Sequence, residues 1–208
     1  MIRVDSINWI IFDLGSTLID ESECYRRRVL RMIEGSDVRY DVFYSVMIDY
    51  YKQCQKGDKL AAKQYGFELP PWESQYEVLY SDTKDCLERL VEKYRLGVIA
   101  NQNFGTKERL RAFGIDQYFD VVIASAEEGI AKPDPAIFLL ALRSAGCSPE
   151  QAAMIGDRLD NDIAPANRLG MTTVRVMRGF GRYSTPAKEE ETPDYTVTYL
   201  SELCGIFL

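Results

Sequence analysis

Apolar residues gather in short, nearly continuous runs at Trp9–Phe12, Leu96–Ala100, Val121–Ala124, Ala152–Ile155 and Thr172–Val176. Runs of this length without polar alternation predict strands buried on both faces, as in a parallel sheet. Helical patterns separate the later runs. Leu87, Leu90, Val91 and Tyr94 repeat at helical spacing before the second run, and Leu110 with Phe113 follow it up to Gly114. Asp134-Pro135 predicts an N-cap and a first-turn proline for a helix through Phe138, Leu139 and Leu142 that stops at Gly146. The alternation predicts an α/β fold built on a doubly wound parallel sheet. A last strand is expected at Tyr195–Val197, after a solvated acidic loop around Lys188 to Glu191.

More than eighty residues separate the first run from the second, where a simple crossover needs far fewer. The interval predicts an insertion. Tyr25, Val29 and Met32 share a helical face ending at Gly35, and Ser36 or Asp37 is expected to cap a second helix carrying Val42, Val46 or Met47, and Tyr50. A third helix is expected from Asp58 to Tyr65, before Gly66 and the Pro70-Pro71 break. Residues 18–79 therefore read as a small α-helical domain inserted into a core of residues 1–17 and 80–208.

Composition narrows the chemistry. The 208 residues, 46% hydrophobic and 27% charged, suit a globular protein with a sizeable core. A net charge of −7 argues against a general nucleic-acid binder, and the one basic cluster, Arg26-Arg27-Arg28 with Arg31, reads as a solvated helix face. The absence of histidine excludes Ser-His and Cys-His catalysis and His-ligated zinc. Five scattered cysteines without a Cys-x-x-Cys pair predict buried thiols in a reducing compartment. No membrane span or leader is expected from the brief apolar run at Trp9–Phe12, so the expected location is the cytoplasm.

In open α/β sheets ligands bind beyond the carboxyl ends of the strands. The polar residues directly after the apolar runs are Asp13, Asn101, Ser125 and Asp157. Asp13 and Asp157, joined by Asp162, would repel one another unless a cation lay between them. A hard, oxygen-ligated ion such as Mg2+ is the natural occupant.

Three segments carry a resemblance to a known family. Ile10 to Leu18, reading Ile-Ile-Phe-Asp-Leu-Gly-Ser-Thr-Leu, resembles the first motif of the haloacid dehalogenase-like superfamily, hydrophobics followed by Asp-x-Asp-Gly-Thr-Leu. Gly129 to Phe138 resembles the third motif, with Lys132, and Ile155 to Ile163 the fourth, with Asp157 and Asp162. The helical insertion resembles the family's helical cap, which closes over the substrate.

The resemblance implies a Rossmann-like core and a phosphatase acting on a small phosphorylated metabolite. Asp13 would be the nucleophile, forming an aspartyl-phosphate. Magnesium would be held by Asp13, the Gly15 carbonyl and Asp157, with Asp162 orienting the metal or its waters. Lys132 would set a positive charge against the phosphoryl oxygens, and backbone N–H groups of Leu14, Gly15 and Ser16 would add donors. Asn101 would either bond phosphate or hold its loop.

Two positions depart from the family. The second Asp of the first motif, which protonates the leaving oxygen, is Gly15, a loss on the order of 10²–10⁴ in rate. The hydroxyl residue closing the second motif is Ala100. Asp20, Glu21 and Glu23 are the carboxylates near enough in sequence to replace the missing acid. The departures leave two further readings: a catalytically impaired relative that binds a phosphorylated ligand or a partner, and a dehalogenase or phosphonate-cleaving enzyme. A phosphonate-cleaving enzyme of this family requires a cap lysine; Lys52, Lys56, Lys59 and Lys63 all lie in the insertion, and none falls in a motif that singles it out. The oligomeric state is not written in the sequence.

Overall fold

The computed structural model describes residues 4–208, so the first three residues of the expected core lie outside the described residues. The elements in chain order are β1 (Trp9–Phe12), β2 (Ile19–Asp20), α1 (Ser22–Ile33), α2 (Tyr40–Lys52), α3 (Gly57–Tyr65), β3 (Val78–Leu79), α4 (Thr83–Leu90), β4 (Arg95–Ala100), α5 (Thr106–Phe113), β5 (Val121–Ala124), α6 (Ser125–Glu128), α7 (Pro135–Ala145), β6 (Ala152–Gly156), α8 (Ala164–Leu169), β7 (Thr172–Val176), β8 (Tyr195–Val197) and α9 (Leu203–Phe207). Six strands form one parallel sheet in the order β5-β4-β1-β6-β7-β8. Five of them, β1, β4, β5, β6 and β7, coincide with the apolar runs of the sequence, and β8 with the last strand expected at Tyr195–Val197.

Strand β1 shows why these runs carry no polar alternation. Ile10 and Phe12 face one core cluster with Leu87 and Leu90 of α4 and Phe207 of α9. Trp9 and Ile11 face the other, against Ile137, Phe138 and Leu142 of α7. Both faces of the strand are covered, so every position must be apolar. The helix α7 starts as its sequence predicts, with Asp134 accepting the Ala136 N–H at 2.9 Å and Pro135 in the first turn, and ends at Gly146 in the left-handed region at φ 66°.

The chain runs from β1 outward through β4 and β5, then returns to place β6 on the other side of β1. That reversal opens a crevice at the carboxyl ends of β1 and β6. The register sets Phe12 opposite Ile155, and the Asp13 N–H donates to Ile155 O at 2.8 Å. The first and fourth motifs are thereby brought to one edge.

Helices α1, α2 and α3 lie between β2 and β3, which pair antiparallel with Ile19 opposite Leu79 and Asp20 opposite Val78. This two-residue ribbon has no counterpart among the sequence expectations. Val29, Phe43, Met47, Tyr51 and Ala61 form a third buried cluster, which Phe180 from the loop after β7 enters. Phe180 stacks on Tyr51 with ring centroids 4.3 Å apart. Two local expectations are corrected. Ser36 does not cap α2, which starts at Tyr40; its hydroxyl donates to Ile33 O at 2.8 Å and closes α1. The basic cluster is not wholly a solvated face, because Arg28 turns inward to Asp58 at 2.8 Å.

Among the described residues no helix is long and apolar enough to cross a membrane. The five cysteines are free thiols.

Candidate active site

Four of the residues singled out in the sequence converge at the crevice. Asp13 follows β1, Asp157 follows β6, Asp162 sits on a π-helical turn over Leu159–Ile163, and Lys132 lies in the loop before α7. One carboxylate oxygen from each of Asp13, Asp157 and Asp162 lies within 4.8 Å of the other two. Lys132 Nζ donates to Asp13 Oδ1 and to Asp162 Oδ1, each at 2.6 Å. The lysine side chain is only 2% exposed. Burial works against its charge, but Asp13 and Asp162 outweigh it, and the ammonium is held more firmly than in water.

Three carboxylates with one ammonium leave an excess of negative charge at the buried floor of a cavity. Burial, then Asp162 and Asp13, pushes the Asp157 carboxyl well above the ordinary carboxylate range. Burial also raises Asp162, although Lys132 opposes it. A divalent cation would relieve both, and an all-oxygen set of this kind fits magnesium. The residues present therefore fit the metal.

Glycines clear the space for this cluster. A Cβ at Gly156 would lie 2.5 Å from Asp162, and one at Gly181 would lie 2.5 Å from Asp157 Oδ2. A Cβ at Gly179 would collide with Ser16. The Gly179-Phe180-Gly181 turn thus presses on the site and was not singled out in the sequence. The buried Arg175 holds it from beneath, donating to Gly181 O at 2.6 Å and Ser184 O at 2.8 Å.

The remaining candidates fall into place more unevenly. Asn101 accepts the Lys132 N–H at 2.8 Å through Oδ1 and donates to Lys132 O at 2.9 Å. Both ends of its amide grip the lysine's backbone. The Ser16 N–H donates to Ile19 O at 2.8 Å, so that donor is engaged inside its own loop. Leu14 is fully buried, and its carbonyl accepts the Leu18 and Ile19 N–H groups. Gly15 and Ser16 line the cavity described below, whereas Ser125 turns to Gln102 O at 3.2 Å and does not reach it.

That cavity, of about 430 Å³, opens over Asp13, Lys132 and Asp157. Its opposite wall comes from the helical insertion: Tyr25, Arg28, Tyr51, Lys56, Lys59 and Trp72. Arg28 lies over the Trp72 ring at 4.8 Å and pairs with Asp58, which also accepts from Tyr51 Oη at 3.3 Å.

Of the three carboxylates considered as replacements for the missing acid, only one faces this cavity. Asp20 caps the next turn, accepting the Ser22 N–H at 2.8 Å. Glu23 lies outside, paired with Arg26 and Arg27 at 2.7 and 2.9 Å. Glu21 turns in, accepts from Ser16 Oγ at 3.2 Å, and lies 3.9 Å from Arg109, which pairs with Glu77 at 2.6 Å. Burial, then Asp13 and Glu77, pushes its carboxyl up to about 8, against the pull of Arg109 and Ser16.

Comparison with known proteins agrees with this geometry. A family model for haloacid dehalogenase-like hydrolases matches residues 7–170. A glyceraldehyde 3-phosphate phosphatase from Methanopyrus kandleri is 31% identical over 96% of this chain and 97% of its own. Its counterpart from Methanocaldococcus jannaschii is 32% identical over 96% of both chains. A solved HAD phosphatase from Thermococcus onnurineus superposes with a TM-score of 0.67 at 26% identity, covering 96% of this chain and 97% of that one. With the motifs, the six-stranded sheet and the matched span in agreement, the chain belongs to the haloacid dehalogenase-like hydrolases.

Proposed function

We propose that this protein is a magnesium-dependent phosphatase that hydrolyses a small phosphorylated metabolite, with Asp13 as the nucleophile. The observation that carries the reading is the buried cluster itself: Asp13, Asp157 and Asp162 within 4.8 Å of one another, with Lys132 bridging two of them. Asp13, Asp157 and the Gly15 carbonyl would hold the metal, with Asp162 supporting it. Bound there, magnesium would supply positive charge against the phosphoryl oxygens.

The chain's own groups do the rest. Asp13 attacks phosphorus and forms an aspartyl-phosphate, which water then cleaves. Lys132 aims the Asp13 carboxylate and offers its charge to the transferring group. Asn101 acts through Lys132 by fixing its backbone. Residues 18–79 form the cap, with β2 and β3 as its two connections, and Arg28, Lys56 and Lys59 present charge to the far end of the substrate. The relatives from Methanopyrus kandleri and Methanocaldococcus jannaschii are named for glyceraldehyde 3-phosphate, a substrate small enough for a cavity of about 430 Å³. The reading takes the enzyme to work in the cytoplasm, on a small soluble metabolite.

The test is phosphate release from glyceraldehyde 3-phosphate and from para-nitrophenyl phosphate, with magnesium or with chelator. Release that requires magnesium and disappears in Asp13→Asn supports the reading. Equal release by wild type and Asp13→Asn on both esters would leave a phosphate-binding relative without turnover.

A further inference from the structure

We propose that Glu21 is the proton donor to the leaving oxygen, and then the base toward water, occupying from the β2–α1 junction the space that a side chain at position 15 would fill. The inference rests on the hydrolase reading above and names a catalytic residue that the reading lacks. Placement carries it. A Cβ built on Gly15 would lie 2.6 Å from Glu21 Oε1 and 2.8 Å from both Glu21 Cδ and Oε2. The carboxyl group of residue 21 therefore fills the space that a side chain at residue 15 would enter, and one would have to swing aside for the other. Gly15 is where the sequence makes room for Glu21.

Elimination leads to the same residue. An alkoxide is a poor leaving group, so cleavage of an alkyl phosphate needs a proton delivered at the ester oxygen. The carboxyl groups lining the cavity are Asp13, Glu21, Asp58, Asp157 and Asp162. Asp13 is the nucleophile. Asp157 and Asp162 belong to the cation cluster, and Asp58 is tied to Arg28 at 2.8 Å on the far wall. Glu21 remains, 9% exposed and oriented by the Ser16 hydroxyl at 3.2 Å. Ser16 itself adopts the left-handed region at φ 59°, and its hydroxyl donates to Glu21 Oε2.

The balance of the step is simple. Asp13 Oδ forms a bond to phosphorus while the P–O ester bond breaks, and the electron pair on the departing oxygen takes the Glu21 proton to give the alcohol. In the second half, Glu21 carboxylate takes a proton from water as the water oxygen bonds phosphorus. The P–O bond to Asp13 breaks, releasing phosphate and restoring both side chains. Because Glu21 follows β2 directly, the acid comes with the connection to the helical insertion and not with the rigid loop after β1.

The experiment compares glyceraldehyde 3-phosphate with para-nitrophenyl phosphate, whose leaving group needs little protonation, under saturating magnesium. Glu21→Gln keeps an acceptor for Ser16 and removes the proton. It should lower turnover of the alkyl ester by about 10²–10⁴ and of the aryl ester by less than about tenfold. The double variant Gly15→Asp/Glu21→Gly should recover alkyl-ester turnover relative to Glu21→Gly, with thermal melting confirming that all variants fold.

Equal losses on both esters in Glu21→Gln, or no loss on either, overturns the assignment while an active wild type preserves the hydrolase reading. Absence of Asp13-dependent turnover in wild type sinks the hydrolase reading, and this proposal with it.

Discussion

Replacing Asp157 by Asn should stabilise the protein in chelator and destabilise it in magnesium, and this reversal tests the cation cluster more sharply than activity does. Asp157 is 4% exposed, and its carboxylate lies within 4.8 Å of those of Asp13 and Asp162. At that distance and an effective dielectric of about 20, each like-charge pair costs about 3.5 kcal/mol. Protonation limits the cost, because a carboxyl whose pKa is pushed up can stay neutral at about 1.4 kcal/mol per pH unit. Removing the charge outright should therefore add about 1–3 kcal/mol at pH 7 without metal. For a chain of this length that is a rise in Tm of about 2–4 °C per kcal/mol.

The pH dependence fixes the sign. Burial and its acidic neighbours raise the folded-state pKa of Asp157 above its unfolded value. Above the ordinary carboxylate range the unfolded chain has released a proton that the native state still holds, so stability falls as pH rises. The variant escapes that loss. Its advantage in chelator should be absent near about pH 4 and widen toward pH 7. Magnesium at a hundredfold excess over its Kd should stabilise the wild type by about 2.7 kcal/mol and the variant by much less. Urea unfolding with chelator and with magnesium reads both effects. A variant less stable than wild type in chelator, or one with an undiminished magnesium shift, would refute the cluster as a cation site.

Other substitutions follow from the same geometry. Lys132→Met leaves Asp13 and Asp162 buried without their shared cation and should cost about 3–5 kcal/mol in chelator, part of it recovered in magnesium, by urea unfolding. Gly181→Ala must push Asp157 aside, so magnesium affinity by calorimetry should fall about 10–100-fold while the fold survives. Phe180→Ala removes the ring that stacks on Tyr51 and should cost about 3 kcal/mol by thermal melting, with KM rising more than kcat falls as the helical insertion loosens its seat.

What could be read from the chain and what could not divides along a physical line. The central strands announce themselves most plainly, because a strand buried on both faces must be largely apolar, as Ile10 and Ile11 show by entering opposite clusters, whereas the edge strand β8, with Thr196 exposed, carries a weaker signal. Asp13 and Asp157 are legible for the same reason, standing where an apolar run stops. The ribbon of β2 and β3 is not, since two residues per strand carry no period. Nor is the inward turn of Arg28, whose triplet reads as a solvated face until Asp58, thirty residues away, supplies its partner.

Position 15 shows the limit most clearly. In the sequence a glycine there is a missing acid, and the three nearby carboxylates are indistinguishable by spacing. They separate only when β2 is in place: Asp20 caps its turn, Glu23 meets Arg26 and Arg27, and Glu21 turns into the cavity toward Ser16 and Arg109. Arg109 comes from α5 and Glu77 from the residue before β3, so the pocket that receives Glu21 joins both ends of the insertion to the core. No local pattern encodes a contact spread over residues 15, 21, 77 and 109. A glycine at a motif position can mean a function lost or a space kept for another side chain, and what occupies the site of its absent Cβ decides between them.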